Sequence, residues 1–300
     1  MRNRLLVPIT IAMLFSVWAT TAAAEIDLKP GMIFEHLIKP GSLPTQIALP
    51  EGKWEVASFR TKINSSNTPM LEAFLFQESE GKLSKFIWFK VSTESAEYGW
   101  KQINNCSRDN MHYRKTLSNE VGGDQDCRWL NHRIQYWHSS KSDFARAFAR
   151  VVTERRFLLP NHVVAANYRL ADQFSFLQVR YYFNPAMKGF EDHEPTKWIH
   201  SIWSKSNVNL DLKKDAYINR LKAWTDEWYP TVKAGFDGKL TGAPKPIPTV
   251  TTTPGVKPSV TGAESSSVAE RLKQLDELLK QELISKQEYE QKRKKILNSL

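Results

Sequence analysis

The sequence predicts an α+β fold: an antiparallel β-rich N-terminal half with packed helices, followed by a C-terminal two-helix hairpin on a disordered linker. Three observations predict it. Between Thr45 and Trp137, short β-branched and aromatic runs are separated by Gly, Pro and Asn turn signals, the pattern of an antiparallel sheet. Two later stretches, Ser142 to Arg156 and Asp215 to Ala234, carry their large apolar residues at helical spacing. A Pro-, Thr- and Ser-rich stretch without aromatic residues then precedes a last pair of helical patterns. The 300 residues thus divide into a leader over 1–24, a core over 25–236, a linker over 237–267 and a hairpin over 268–300.

The leader reads as a cleavable secretory signal. Arg2 and Arg4 form a basic n-region, Leu5 to Ala19 an apolar stretch, and Ala22-Ala23-Ala24 a small-residue site, so cleavage is expected between Ala24 and Glu25. No Cys lies near the site for lipoprotein processing, and Arg2 and Arg4 are not adjacent as a twin-arginine signal requires. An uncleaved N-terminal anchor is the competing reading. The apolar stretch, interrupted by Pro8, falls short of the roughly 20 residues that span a bilayer. A periplasmic or secreted location is expected.

In the core, Leu49-Pro50-Glu51-Gly52-Lys53 has Pro second and Gly fourth, a turn expected to join Thr45–Leu49 and Trp54–Thr61 as a hairpin. Leu71–Gln77, Phe86–Val91, His112–Thr116 and Arg128–Trp137 continue the strand pattern, with a reversal at Glu80-Gly81-Lys82. Ser142 to Arg156 puts Phe144, Phe148, Val151 and Val152 on one helix face and starts after Ser140 or Ser142 as cap. Phe174–Phe183 is a long strand, and Asp215 to Ala234 closes the core with Tyr217, Leu221, Trp224 and Trp228 at helical spacing. Cys106 and Cys127 are the only cysteines, and in an exported chain such a pair is expected to form a disulfide. They stand too far apart in sequence for a Cys-x-x-Cys redox pair, and no His lies at zinc-ligand spacing from either.

Catalytic patterns are scarce. The seven histidines form no His-Glu-x-x-His or other ligand pattern, and no Gly-x-Ser-x-Gly elbow or phosphate-binding glycine loop occurs. No catalytic residue, metal ligand or cofactor is therefore assigned. Glu191-Asp192-His193-Glu194 reads either as an oxygen-rich cation loop or as a solvated acidic turn. Glu191 or Glu194 with Asp226 or Glu227 offers a carboxylate pair for a hydrolase, which spacing alone does not select. Nine of the ten tryptophans lie in the core. Trp198, Trp203, Trp224 and Trp228, with Tyr181, Tyr182 and Phe183, either line a glycan groove or fill the interior. Of the formal charge of +10, about half falls on the core. Lys141, Arg146, Arg150, Arg155 and Arg156 gather part of it on one helix, as an ordinary solvated face or a contact for an anionic envelope surface, and export argues against nucleic acid as a partner.

The linker from Asp237 to Ser267 has the composition of a flexible, partly polyproline-II tether that reaches ~90 Å when fully extended. Beyond it, Val268, Leu272, Leu275 and Leu279 mark one helix face, and Leu278 widens it. Ser285-Lys286-Gln287-Glu288 is a capping box that starts a second helix, with Tyr289, Ile296, Leu297 and Leu300 as its apolar face. The run Leu272-x-x-Leu275-x-x-Leu278, then Leu283-Ile284-Ser285-x-x-Glu288-Tyr289-Glu290-x-Lys292, then Ile296-Leu297 resembles the SHOCT family, the short C-terminal domain at the ends of many bacterial proteins. Glu282 stands where that family usually has Gly, and Ser285 and Tyr289 replace Thr and Phe. The resemblance covers roughly a tenth of the chain and implies a module for oligomerisation or docking, with no catalytic residues of its own.

A hairpin this short falls under the roughly 40 residues below which a domain rarely stands alone. Leu272, Leu275, Leu279, Ile284, Tyr289 and Leu297 are expected to form an association surface for a second copy or a protein partner, the alternative being that they pack on the chain's own core. The expectation from sequence is an exported bacterial envelope protein, non-catalytic, with a docking hairpin. A periplasmic glycan-binding protein or hydrolase with an aromatic groove is the rival.

Overall fold

The computed structural model describes residues 28–79, 81–137, 139–194, 197–241, 268–280 and 286–297. The Ala24/Glu25 cleavage site and, in the hairpin, Ile284, Ser285 and Leu300 lie outside the described residues. The elements are β1 (Ile33–Phe34), β2 (Leu37–Ile38), β3 (Ile47–Ala48), β4 (Trp54–Ile63), β5 (Pro69–Ser79), β6 (Lys82–Ser92), β7 (Tyr113–Asn119), β8 (Gln125–Ile134), α1 (Asp143–Glu154), β9 (His162–Ala171), β10 (Phe176–Phe183), α2 (Lys205–Leu210), α3 (Leu212–Phe236), α4 (Val268–Lys280) and α5 (Lys286–Leu297). Eight strands form one antiparallel sheet in the order β1-β4-β5-β6-β10-β9-β8-β7. β4 to β6 run as one meander and β7 to β10 as another, with α1 in the β8–β9 connection. The two meet where β10 pairs with β6, from Leu177 opposite Val91 to Phe183 opposite Lys85. No helix among the described residues is long and apolar enough to cross a membrane.

Strand alternation separates two faces. Along β10, Leu177, Val179, Tyr181 and Phe183 join the core beneath α3, whereas Tyr182 joins the cluster beneath α1. α3 starts at Asp211, whose carboxylate accepts from the Lys213 and Lys214 N–H groups, and lays Tyr217, Leu221, Trp224, Trp228 and Val232 on the first face. The Trp224 and Trp228 rings stack with centroids 5.7 Å apart, and Tyr181 meets both edge-on. The buried Tyr168 hydroxyl donates to the Thr225 carbonyl at 2.9 Å. Near its end the helix closes on the β3 approach: a Cβ at Gly235 would lie 2.5 Å from the Gln46 carbonyl oxygen. α1 is capped by Ser142, whose Oγ accepts from the Ala145 N–H, and sets Phe144, Phe148 and Val152 against Phe74 and Phe86 on the second face.

Two ionic clusters tie elements together, one within the sheet and one between the sheet and α3. Glu72, buried in β5, meets Arg60 and Lys62 at 2.6 Å each. Burial alone would raise its carboxyl pKa, and the two cations outweigh it and hold the group below its ordinary range. On the other side Arg128 donates through Nε to Asp226 of α3 at 2.6 Å, and Tyr113 donates to the same oxygen at 2.6 Å. Arg128 also lies 4.1 Å from the Tyr229 ring centroid.

The structure corrects three sequence expectations. β3 pairs with β2, Leu37 opposite Ala48, and not with β4. β4 is already bonded on both edges by β1 and β5, so the Pro50-Gly52 turn only carries the chain between the two pieces. β9 was not anticipated: it is buried along its whole length, so its sequence shows no alternation. The chain also stays tied to the core into the expected linker, where Lys239 N–H donates to the Ala234 carbonyl and Leu240 N–H to Gln46 Oε1.

Cys106 and Cys127 are bonded, with Cα atoms 5.8 Å apart, beside Met111 and Trp129. The bridge closes a 21-residue span that contains β7 and its turns. In the chain-entropy account a loop of this size contributes about 3 kcal/mol. The Cys106→Ser/Cys127→Ser double variant is therefore expected to unfold at lower urea with a loss of about that size, and equal midpoints for the two proteins would refute a stabilising bridge.

Candidate functional site

The hairpin is seated on the start of α3. Leu275 is fully buried against Leu212, with Leu279, Tyr289 and Ile296 partly buried around them. Lys292 of α5 forms an ion pair with Asp215 of α3, and Tyr289 donates to Asp276 at 2.7 Å to tie the two hairpin helices together. Of the expected association surface, Leu275 is consumed by this seat, Leu279, Tyr289 and Leu272 are half-buried, and Leu297 is 39% exposed. The apolar stripe was legible in the sequence. Its partner Leu212 was not, because a single leucine at a helix start carries no periodic signal.

A cavity of about 1130 Å³ forms a broad trough between the β4–β6 end of the sheet and α3. Phe183, Leu221 and Trp224 form its apolar floor. Burial, then the neighbouring Lys188, push the Lys85 ammonium below its ordinary range, and Glu51 opposes them. Lysines and arginines on the walls are matched by Glu51, Glu55, Glu78 and Glu227, and Arg155 is bound to Glu55. A wall with five basic residues and four glutamates is close to balanced in sign and selects no charge class of ligand.

The second face carries two smaller clefts, the first of them beside α1. One, about 420 Å³, is lined by Trp88, Arg133, Tyr136, Arg180 and Tyr182 together with Ser139 and Ser140 ahead of α1. The other, about 330 Å³, shares Arg133 and adds Asn131, Asn167, Trp198 and Arg108. One register row places Trp88, Arg180, Asn167 and Trp129 side by side across β6, β10, β9 and β8. Sequence reasoning passed over Arg133 and Arg180. The available signal was the lone charge, Arg180, in the run Phe176–Phe183.

The residues singled out from sequence divide differently. Of the seven aromatic side chains proposed for a groove, six are buried and only Trp198 is half-exposed. Tyr181 and Phe183 face α3 while Tyr182 faces α1, so the set does not share one groove. Asp226 is held by Arg128 and Tyr113; burial would raise its carboxyl pKa, and these two donors lower it below its ordinary range. Glu227 lines the trough. Asp192 accepts from the backbone N–H groups of Asn161 and His162 at 2.7 and 3.0 Å, which anchors the acidic loop to the start of β9. Glu191 lies 3.4 Å from His193. On α1, Arg146 is paired with Asp143 and Arg155 with Glu55, which leaves less free charge there than the sequence suggested.

Two histidines sit behind the second cleft. His112 and His132 have ring centroids 5.7 Å apart, and their Nε2 atoms lie 3.0 and 3.1 Å from the Trp203 and Trp198 carbonyl oxygens. The His132 ring also stacks on Trp198 at 4.6 Å. Burial, and for His112 also the His132 charge, push both imidazoles down to about 4.

No family model, no curated protein and no solved structure matches the chain. The residues themselves therefore carry the assignment. The buried histidines give the fold a definite acid response. Unfolded imidazoles titrate near 6.5, about two units above the folded values. The unfolded chain then binds more protons between these limits, so stability is complete above about pH 6.5 and is lost progressively as pH falls to about 4. The melting temperature is expected to drop across that window and to drop less in His112→Gln/His132→Gln. Parallel curves for the two proteins would remove the histidines from the account.

Proposed function

We propose that this chain is an exported bacterial envelope protein without catalytic activity, in which the C-terminal hairpin is a reversible docking arm. The observation that carries the reading is the hairpin's seat, Leu275 on Leu212 with Lys292 on Asp215. The seat engages the same apolar stripe that the sequence marks for association, so occupation by the core and occupation by a partner are mutually exclusive.

Magnitudes favour exchange. Burial of two leucine side chains contributes about 3 to 6 kcal/mol before ordering costs. A tether of the kind expected from sequence holds its module at an effective concentration of about millimolar, and a dissociation constant of 1 mM corresponds to about 4 kcal/mol. The seat is therefore of a strength that a second copy or a protein partner of roughly micromolar affinity displaces. Export is supported by the Arg2/Arg4 region, the apolar stretch and Ala22-Ala23-Ala24. The bacterial module is supported by the SHOCT resemblance. The absence of a catalytic reading is supported by Asp226, the best-placed carboxylate of the hydrolase alternative, being spent on Arg128 and Tyr113.

Residues 25–300 provide the test by light scattering after size-exclusion chromatography. Asp215→Lys sets a like charge against Lys292 and releases the hairpin without altering its apolar face. It is expected to raise concentration-dependent association above that of the unmodified chain. Leu275→Asp removes the face and is expected to be monomeric throughout. Monomers of identical size for all three proteins at every concentration would sink self-association through the hairpin.

A further inference from the structure

Arg180 and Arg133 are the unusual charges of the second face. Arg180 stands at the centre of the sheet, between Trp88 on β6 and Asn167 on β9. Its guanidinium carbon lies 4.3 Å from the Trp88 ring centroid, and its Nε is buried with no hydrogen-bond acceptor. Arg133 projects from β8 into the same cleft, and no carboxylate among the described residues pairs with either guanidinium. Their charges interact: the Tyr182 phenol favours the Arg133 charge, and the Arg180 guanidinium opposes it.

This arrangement departs from that of several other cations of the sheet. Arg60 and Lys62 have Glu72, and Arg128 has Asp226. Arg169 donates to Gln125 at 2.6 Å and to the Lys101 carbonyl at 2.7 Å. Two neighbouring guanidinium groups without an anion cost free energy that a bound anion recovers. The first turn of α1 adds to the same field, since Ser139, Ser140 and Ala145 line the cleft and a helix start carries positive partial charge. Guanidinium groups match phosphate oxygens in bidentate geometry.

Size then sets the rest of the ligand. A cleft of about 420 Å³ lies at the lower end of the range of roughly 300 to 1,000 Å³ for small-molecule sites. It shares Arg133 with the second cleft, where the Asn131 and Asn167 side-chain amides already donate within the chain and the Trp198 ring is stacked on His132, so the first cleft alone sets the size of the ligand. We propose that the cleft between Arg133 and Arg180 binds a phosphate monoester of about monosaccharide size, its phosphate held by the two guanidinium groups and the start of α1.

Isothermal titration of residues 25–300 at low salt with glucose 6-phosphate, glycerol 1-phosphate, inorganic phosphate and glucose tests this. At least one organic phosphate is expected to bind, with affinity at least tenfold weaker in Arg133→Gln and in Arg180→Gln and falling with added salt. Arg133 is exposed, so its variant keeps the question open to measurement if the Arg180 variant loses its fold. Tighter binding of glucose 6-phosphate assigns a free sugar phosphate, and tighter binding of glycerol 1-phosphate assigns a lipid headgroup. The proposal is overturned by no binding of either ester, by glucose or inorganic phosphate binding as tightly as the esters, or by unchanged affinity in both variants.

Discussion

The pairing of β6 with β10 is the contact on which the rest of the molecule depends. It is where the two meanders become one sheet, through a register that runs from Leu177 opposite Val91 to Phe183 opposite Lys85. Because side chains alternate along a strand, a one-residue slip there would exchange the two faces. Tyr181 would leave the Trp224/Trp228 pair and Tyr182 would leave Phe86, with which it stacks at 4.2 Å. Both cores thus hold the same register, and the register in turn fixes Arg180 beside Trp88.

The chain distributes charge by the same geometry. On the α3 side, Arg128 and Asp226 join the helix to β8, and on the α1 side Glu72 gathers cations from β4 and β6. Asp226 thereby locks α3 to the sheet, and Glu72 ties β5 to both of its neighbouring strands. Arg133 and Arg180 lie instead where α1 stops short of covering the sheet, and the polar surface there is left for something outside the chain.

Much of the fold was legible because its helices and hairpins obey local rules. Ser142 is an N-cap ahead of an apolar stripe, Gly81 turns β5 into β6 at a positive φ, and Trp224 and Trp228 sit one turn apart on α3. β9 was illegible for a physical reason: with neighbours on both edges and cover on both faces, His162 to Ala171 has no solvent side for polar residues to mark. The β2–β3 pairing was hidden because a turn signal states where a chain reverses and not which strand it meets. The clefts were hidden for a related reason. Arg133, Arg180 and Trp88 come from three strands far apart in sequence, and only the sheet order brings them together. The hairpin's stripe was readable because it repeats locally, whereas its cis partner Leu212 was not.

The two borders of the sheet have a consequence for how copies of this protein can meet. On one side the border strand β1 is only two residues long. On the other, β7 presents exposed Arg114 and Lys115 and carries a bulge between Thr116 and Ser118. Short, charged and bulged borders are the devices by which sheets refuse an incoming strand. Among the described residues both borders thus disfavour strand addition between molecules, which leaves the helices as surfaces where contacts form and release without unravelling the fold.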